Sequence, residues 1–225
     1  MSHNIGEKGT VMIEIQNLTK VFQEQTVLQN INATFDAGLI HGVIGKNGAG
    51  KTVLLRLLCG LMHPSKGQVI VDGKQLGKDV DFAPDAGIII ETPCFLPYLS
   101  GFQNLKELAS IRNIISKEEI AEAMEQVKLD PASRKHVGKY SLGMRQRLGI
   151  AQAIMERPRY LILDEPMNGL DTQGMEDVRE LLQKQKETGV TVILASHSME
   201  DIRLLCDTVH RIQDASLIPC TTEFS

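Results

Sequence analysis

Eight consecutive residues carry the most specific chemistry in this chain. Gly45-Lys-Asn-Gly-Ala-Gly-Lys51-Thr52 fits the pattern GxxxxGK[ST], between an apolar strand-like run at 39–45 and an apolar helix-like run at 53–62. In that context the pattern predicts a loop that cradles phosphate. Gly45, Gly48 and Gly50 let the backbone curl, so amide N–H groups along Gly45, Asn47, Gly48, Ala49 and Gly50 can point inward. The following helix adds its positive N-terminal end. Lys51 can reach the β- and γ-phosphates as a point charge, and Thr52 can offer a hydroxyl to Mg²⁺. At ordinary residue usage a chance match arises in a chain of this length about one time in a hundred.

A second segment, Leu161 to Pro166 (LILDEP), is an apolar strand ending in two adjacent carboxylates. Paired strand-end acids are common on protein surfaces. Downstream of a phosphate loop they have a use: Asp164 can support Mg²⁺ directly or through water, and Glu165 can polarise an attacking water.

A third segment, Tyr140 to Ile154 (YSLGMRQRLGIAQAI), makes the reading specific. It resembles the signature segment of ABC transporter ATPases, usually LSGGQ followed by a basic helical stretch. Ser141 and Gly143 match; Leu142 stands where the first glycine usually sits, and Met144 where the glutamine sits. Ser141 also suits a plain helix N-cap, and the two readings are compatible. NGLD (168–171) resembles the family's D-loop, with Asp171 at its usual position. SHSMED (196–201) places His197 where the family has a switch histidine. Phe22 resembles the aromatic that stacks on adenine, with a core phenylalanine as its plain alternative. The family's Q-loop glutamine is replaced by Glu91, which can accept hydrogen bonds or face Mg²⁺ but cannot donate as an amide does.

The resemblance spans about residues 12–212. It implies ATP and Mg²⁺ as cofactors and a head-to-tail dimer of identical or different ATPase subunits. Ser141 and Gly143 of one chain would close on ATP held by the other. It also implies a separate transmembrane permease and a peripheral place on the cytoplasmic face of the membrane. The glutamate Q-loop followed by LSGFQNL, together with SLGMRQRLGIA, resembles the subfamily of bacitracin and lantibiotic resistance or immunity.

The elements that must position these residues are legible in outline. Strand-like runs at 11–18, 27–35, 39–45, 67–73, 86–93, 159–166 and 190–196 alternate with helical patterns, so a mostly parallel sheet covered on both faces is expected. The fold class is α/β: a P-loop core with an antiparallel N-terminal part and a helical subdomain. The expected division is one domain with a flexible leader at 1–10, a core of 11–91 and 157–225, and a helical subdomain of 92–156. Within it, Ser116 and Glu119 form a capping-box pattern, and a signature helix runs from near Ser141 to about Glu156. A further helix is capped by Asp171 and ended by Gly189.

Composition narrows the alternatives. Lys and Arg number 24 against 28 Asp and Glu, for a formal net charge of -4. No basic stripe is visible, which argues against nucleic acid as the main partner. Cys59, Cys94, Cys206 and Cys220 form no CxxC pair, so neither a zinc site nor a disulfide framework is expected. No apolar run reaches the ~20 residues that a membrane helix needs. A non-transport ABC ATPase of DNA maintenance or translation is a weaker reading, since there is no heptad run and no second cassette. A P-loop small-molecule kinase would leave the SLGMRQR helix and His197 without a use.

Overall fold

The computed structural model describes residues 13–220. The expected leader at 1–10 lies outside the described residues, as do the first two residues of the strand expected at 11–18. Strand β1 (Ile13–Phe22) turns back as β2 (Gln25–Phe35), and β3 (Ile40–Ile44) leads through the glycine-rich loop into helix α1 (Lys51–Cys59). Three strands follow: β4 (Lys66–Val71), β5 (Lys74–Gln75) and β6 (Ala86–Ile89). The chain then turns helical with α2 (Gly101–Arg112), α3 (Lys117–Gln126), a 3₁₀ turn (Val137–Lys139) and α4 (Leu142–Ile154). It returns through β7 (Tyr160–Asp164), α5 (Thr172–Glu187), β8 (Thr191–Ala195), α6 (Met199–Leu205), β9 (Thr208–Gln213) and β10 (Ser216–Pro219).

Two sheets result. One is antiparallel, in the order β2-β1-β4-β5; the other has the order β10-β9-β3-β8-β7-β6. In the second, β9, β3, β8, β7 and β6 run parallel and only β10 is antiparallel. The three central strands β3, β7 and β8 are buried at every position, as a parallel sheet covered on both faces requires. Successive side chains alternate between two cores. Tyr160, Ile162, Ile193 and Ala195 join the cluster shared with the antiparallel sheet and α1. Leu161, Leu163, Val192 and Leu194 join the cluster shared with the helical lobe.

Helix α1 is shorter than its apolar run suggests. It ends at Cys59 because Gly60 takes φ 81 and donates its N–H to Leu57 O at 3.2 Å, a left-handed stop that glycine favours. The helix-like run read from the sequence extends to Met62. In the lobe, Ser116 and Glu119 form the expected reciprocal cap, and Ile120, Ala123 and Met124 are buried. Helix α2 has a capping box of its own between Ser100 and Gln103, which the sequence reading did not mark. Helix α4 approaches β6 by backbone alone: a Cβ on Gly87 would lie 1.9 Å from the Ala153 carbonyl oxygen.

His41, on β3, is 1% exposed. Its Nε2 lies 2.8 Å from the Asp36 carbonyl oxygen and its Nδ1 2.7 Å from Thr208 Oγ1. A carbonyl only accepts, so Nε2 carries the proton and Nδ1 accepts from the threonine hydroxyl. This arrangement satisfies the neutral ring. Burial pushes the His41 pKa down, against the opposing pull of the Asp36 carbonyl, Asp36 and Asp207. Burial and then His41 push His210 down as well. Both folded pKa values lie below the ordinary value of 6.5, so below that pH the unfolded chain binds more protons and stability is lost as the pH is lowered. Calorimetry from pH 7.5 to 5 is expected to show a declining Tm, less steep in His41→Gln; a flat Tm would rule out this linkage.

Candidate active site

The sheet order brings the phosphate loop beside the acid pair. In register, Asp164 of β7 faces Ala195 of β8, and β3 pairs with β8 on its other side. The loop after β3, the acids after β7 and the histidine after β8 therefore all leave the sheet at its C-terminal edge. In open α/β sheets that edge is where ligands bind.

The loop is shaped by contacts that exclude side chains. A Cβ on Gly45 would lie 3.0 Å from the Ile212 carbonyl oxygen, and one on Gly50, at φ 106, 3.0 Å from Val27 Cγ1. Gly48, at φ 79, has nothing within 4 Å of where its Cβ would be, so that part of the loop faces open space. Gly50 caps α1 without any side-chain hydrogen bond, and the first turn holds no acid. The amides at the start of α1 are thus left for a ligand. Lys51 is 8% exposed and lays its Nζ 2.9 Å from the Gly45 carbonyl oxygen.

The acids are held individually. Thr52 Oγ1 donates to Asp164 Oδ2 at 2.5 Å, joining a hydroxyl and a carboxylate into one pair of hard oxygen donors. Glu165 takes φ 50, donates its N–H to Ala195 O at 2.9 Å, and accepts at Oε2 from the His197 N–H at 3.3 Å. His197 Nδ1 lies 2.8 Å from the same oxygen. Phe22, Gln25 and Val27 close the far side of a cleft of about 590 Å³ that also includes Asn47, Gly48, Lys51, Thr52, Asp164 and Glu165. Phe22 is 40% exposed, with Lys20 Nζ 4.9 Å from its ring centre. On the other flank of the loop, a cavity of about 670 Å³ is lined by Gly45–Ala49, Ser196, His197, Met199 and Arg211–Asp214.

The structure therefore brings Phe22, the phosphate loop, Asp164, Glu165 and His197 together. It leaves four candidates outside both spaces. Ser141 caps α4, accepting from the Met144 N–H at 3.2 Å. Gly143 packs against Gly169, whose carbonyl oxygen would lie 3.0 Å from its Cβ. Asp171 caps α5, accepting from the Gly174 N–H at 2.9 Å. Glu91, at φ 64, pairs with Arg56 of α1 at 2.6 Å. Glu91 is exposed and Arg56 half-buried, and such a pair near the surface contributes little, about 0–1 kcal/mol. The segment that follows Glu91 rests on α4: a Cβ on Gly149 would lie 2.5 Å from Pro93 Cγ. Sequence reading missed Gln25, Val27 and the Arg211–Asp214 wall. The hairpin turn at Gln23 was the available signal for the first two.

Comparison with known proteins agrees with this geometry. The family described as ABC transporter matches residues 28–168. An uncharacterized ABC transporter ATP-binding protein of Bacillus subtilis, YybJ, is 47% identical over 196 residues, covering 87% of this chain and 90% of that protein. The bacitracin transport ATP-binding protein BcrA of Enterococcus faecalis is 41% identical, covering 92% of this chain and 68% of that one. The lantibiotic transport ATP-binding protein SrtF of Streptococcus pyogenes is 35% identical, covering 92% and 89%. Among solved structures, an ATP-binding subunit of an ABC transporter has a TM-score of 0.84 at 26% identity, covering 94% of this chain and 90% of that one. The dimeric cassette MJ0796, bound to ADP and Pi in a post-hydrolysis state, has a TM-score of 0.80 at 21% identity, covering 91% and 96%.

Proposed function

The chain belongs to the ABC transporter family as an ATP-binding, ATP-hydrolysing subunit, and from that premise we propose that it powers export of a peptide antibiotic for resistance or immunity. The observation that carries the catalytic part is the phosphate loop flanked by the cleft of Thr52, Asp164 and Glu165 and by the cavity of His197, the two linked by the Glu165–His197 contact. The peptide substrate class rests on the likeness to the bacitracin and lantibiotic transport proteins.

In this reading the amides of Gly45–Gly50 and of the first turn of α1 hold the phosphates, and Phe22 covers the base. Lys51 exchanges the Gly45 carbonyl for phosphate oxygens. Among the described residues, no cluster of three or more His, Cys, Asp or Glu could hold a metal alone. The hard oxygens of Thr52 and Asp164 suit Mg²⁺, which is held largely by phosphate and water and takes few protein ligands. Bound there, Mg²⁺ would neutralise phosphate charge. Glu165 orients the attacking water. Its Oε2 is taken up by His197, so Oε1 is the atom that receives the water's proton. His197 fixes that carboxylate through its backbone N–H and its Nδ1–H, and only a doubly protonated ring would also donate from Nε2 to the γ-phosphate. The work is positioning and electrostatics.

Ser141, Gly143 and Asp171 lie outside this cleft, and a second ATPase subunit gives them a use. Ser141 and Gly143 would then close on nucleotide held by the other chain, with Asp171 near the joint. No helix among the described residues is long and apolar enough to cross a membrane, so a separate permease would supply the path. The chain would sit peripherally on the cytoplasmic face. The core of 11–91 and 157–225 holds ATP, while the helical subdomain of 92–156 and the Glu91 segment meet the permease. The test is a sensitive strain carrying the permease with wild-type chain or Glu165→Gln. Protection against bacitracin or a lantibiotic by the wild type alone is expected; equal protection by both would refute the ATP-driven reading.

A further inference from the structure

Glu165 holds a left-handed backbone at φ 50, which a residue with a side chain keeps only when its surroundings enforce it. Strand β8 supplies part of that hold, through Ala195 O and His197. Helix α4 holds the residues that follow Glu165. Gln146, 7% exposed, donates from Nε2 to the Pro166 carbonyl oxygen at 2.9 Å. One turn earlier, Leu142 covers Gly169: a Cβ on that glycine, at φ 78, would lie 2.5 Å from both Cγ and Cδ2 of Leu142. Leu142 and Gln146 are four residues apart, so they share one face of the helix. That face grips the segment 166–169, which directly follows Glu165. A glycine at 142 would leave this contact unmade.

We infer that Leu142 and Gln146 are positioning residues for Glu165, and that they couple the two ATP sites of the proposed dimer. The coupling rests on the dimer reading above. There, the N-terminal end of α4 faces nucleotide on the second chain, while the loop it grips serves the nucleotide on its own chain. Closure at one site thus adjusts the water-orienting carboxylate at the other.

The test uses the full chain with Gln146→Met, which keeps side-chain length and removes the donor. Misplacing a catalytic group costs rate rather than binding, so kcat is expected to fall about tenfold, with KM for ATP within about twofold. The Hill coefficient for ATP should drop toward one, and amide exchange in 165–170 should quicken while Tm stays close to wild type. Gly169→Ala should lose activity as well, and adding Leu142→Ala should restore part of it by removing the clash. Wild-type kcat and cooperativity in Gln146→Met would overturn the inference. So would losses tracking the folded fraction with no change in Hill coefficient. If the wild-type chain fails to bind a fluorescent ATP analogue, the nucleotide site itself is refuted and this inference with it. If it turns over ATP without cooperativity, the coupling alone is refuted.

Discussion

Glu165→Gln is expected to bind ATP within about twofold of wild type while turnover falls by roughly 10²–10⁴, the usual contribution of a positioned general base. The amide keeps a carbonyl oxygen for the His197 N–H, which now sits 3.3 Å from the carboxylate, so the local geometry can survive. It loses the ability to take a proton from water. Nucleotide then stays intact, and a chain that closes on it with a second copy has no route to reopen by hydrolysis. Sedimentation with Mg-ATP is therefore expected to shift this variant from monomer to dimer. Bound ATP without a shift would place the burden on Leu142 and Met144 in the signature segment, or on a required second subunit. Near-normal hydrolysis would remove Glu165 from its role.

The second large effect is at Lys51. Its ammonium is nearly buried and its Nζ sits 2.9 Å from the Gly45 carbonyl oxygen, so it already spans the loop it would serve. A charge-assisted hydrogen bond contributes about 1.5–3 kcal/mol. Lys51→Ala is thus expected to weaken ATP binding by about 10- to 100-fold, since each 1.4 kcal/mol is tenfold. Alanine suits the first turn of α1, so thermal stability without nucleotide should change little. Titration with a fluorescent ATP analogue reads the effect, and unchanged affinity would exclude Lys51 from phosphate contact.

These two residues were legible because their chemistry is local. A phosphate loop must be contiguous, and its lysine can only follow the last glycine. The strand LILDEP declares itself by apolarity and then by its acids. The parallel core was legible for the same reason, since β3, β7 and β8 are short apolar runs buried throughout. What escaped depends on partners far along the chain. Glu91 reads as a lone strand-end acid until Arg56, thirty-five residues earlier, is found paired with it at 2.6 Å. Gln146 reads as one more polar residue on a basic helix until Pro166 O is found 2.9 Å from its Nε2. The end of α1 was missed for a different reason. Apolar residues continue to Met62, but Gly60 is pressed against Asp81, whose carbonyl oxygen would lie 2.3 Å from a Cβ. That tertiary crowding, invisible in the local pattern, goes with the left-handed stop.

The close approach of α4 to Gly87 gives the helix a fulcrum. With no side chain between Ala153 and the strand, the contact there is backbone on backbone. Pro93, just beyond Glu91, bears on the helix at Gly149, four residues from that point. Ser141 lies twelve residues from it. At 1.5 Å per residue these arms are about 6 and 18 Å. Were α4 to tilt as a rigid rod about that point, it would act as a lever of the third class with a ratio near three, and a shift of about 1 Å at Gly149 would carry Ser141 by about 3 Å.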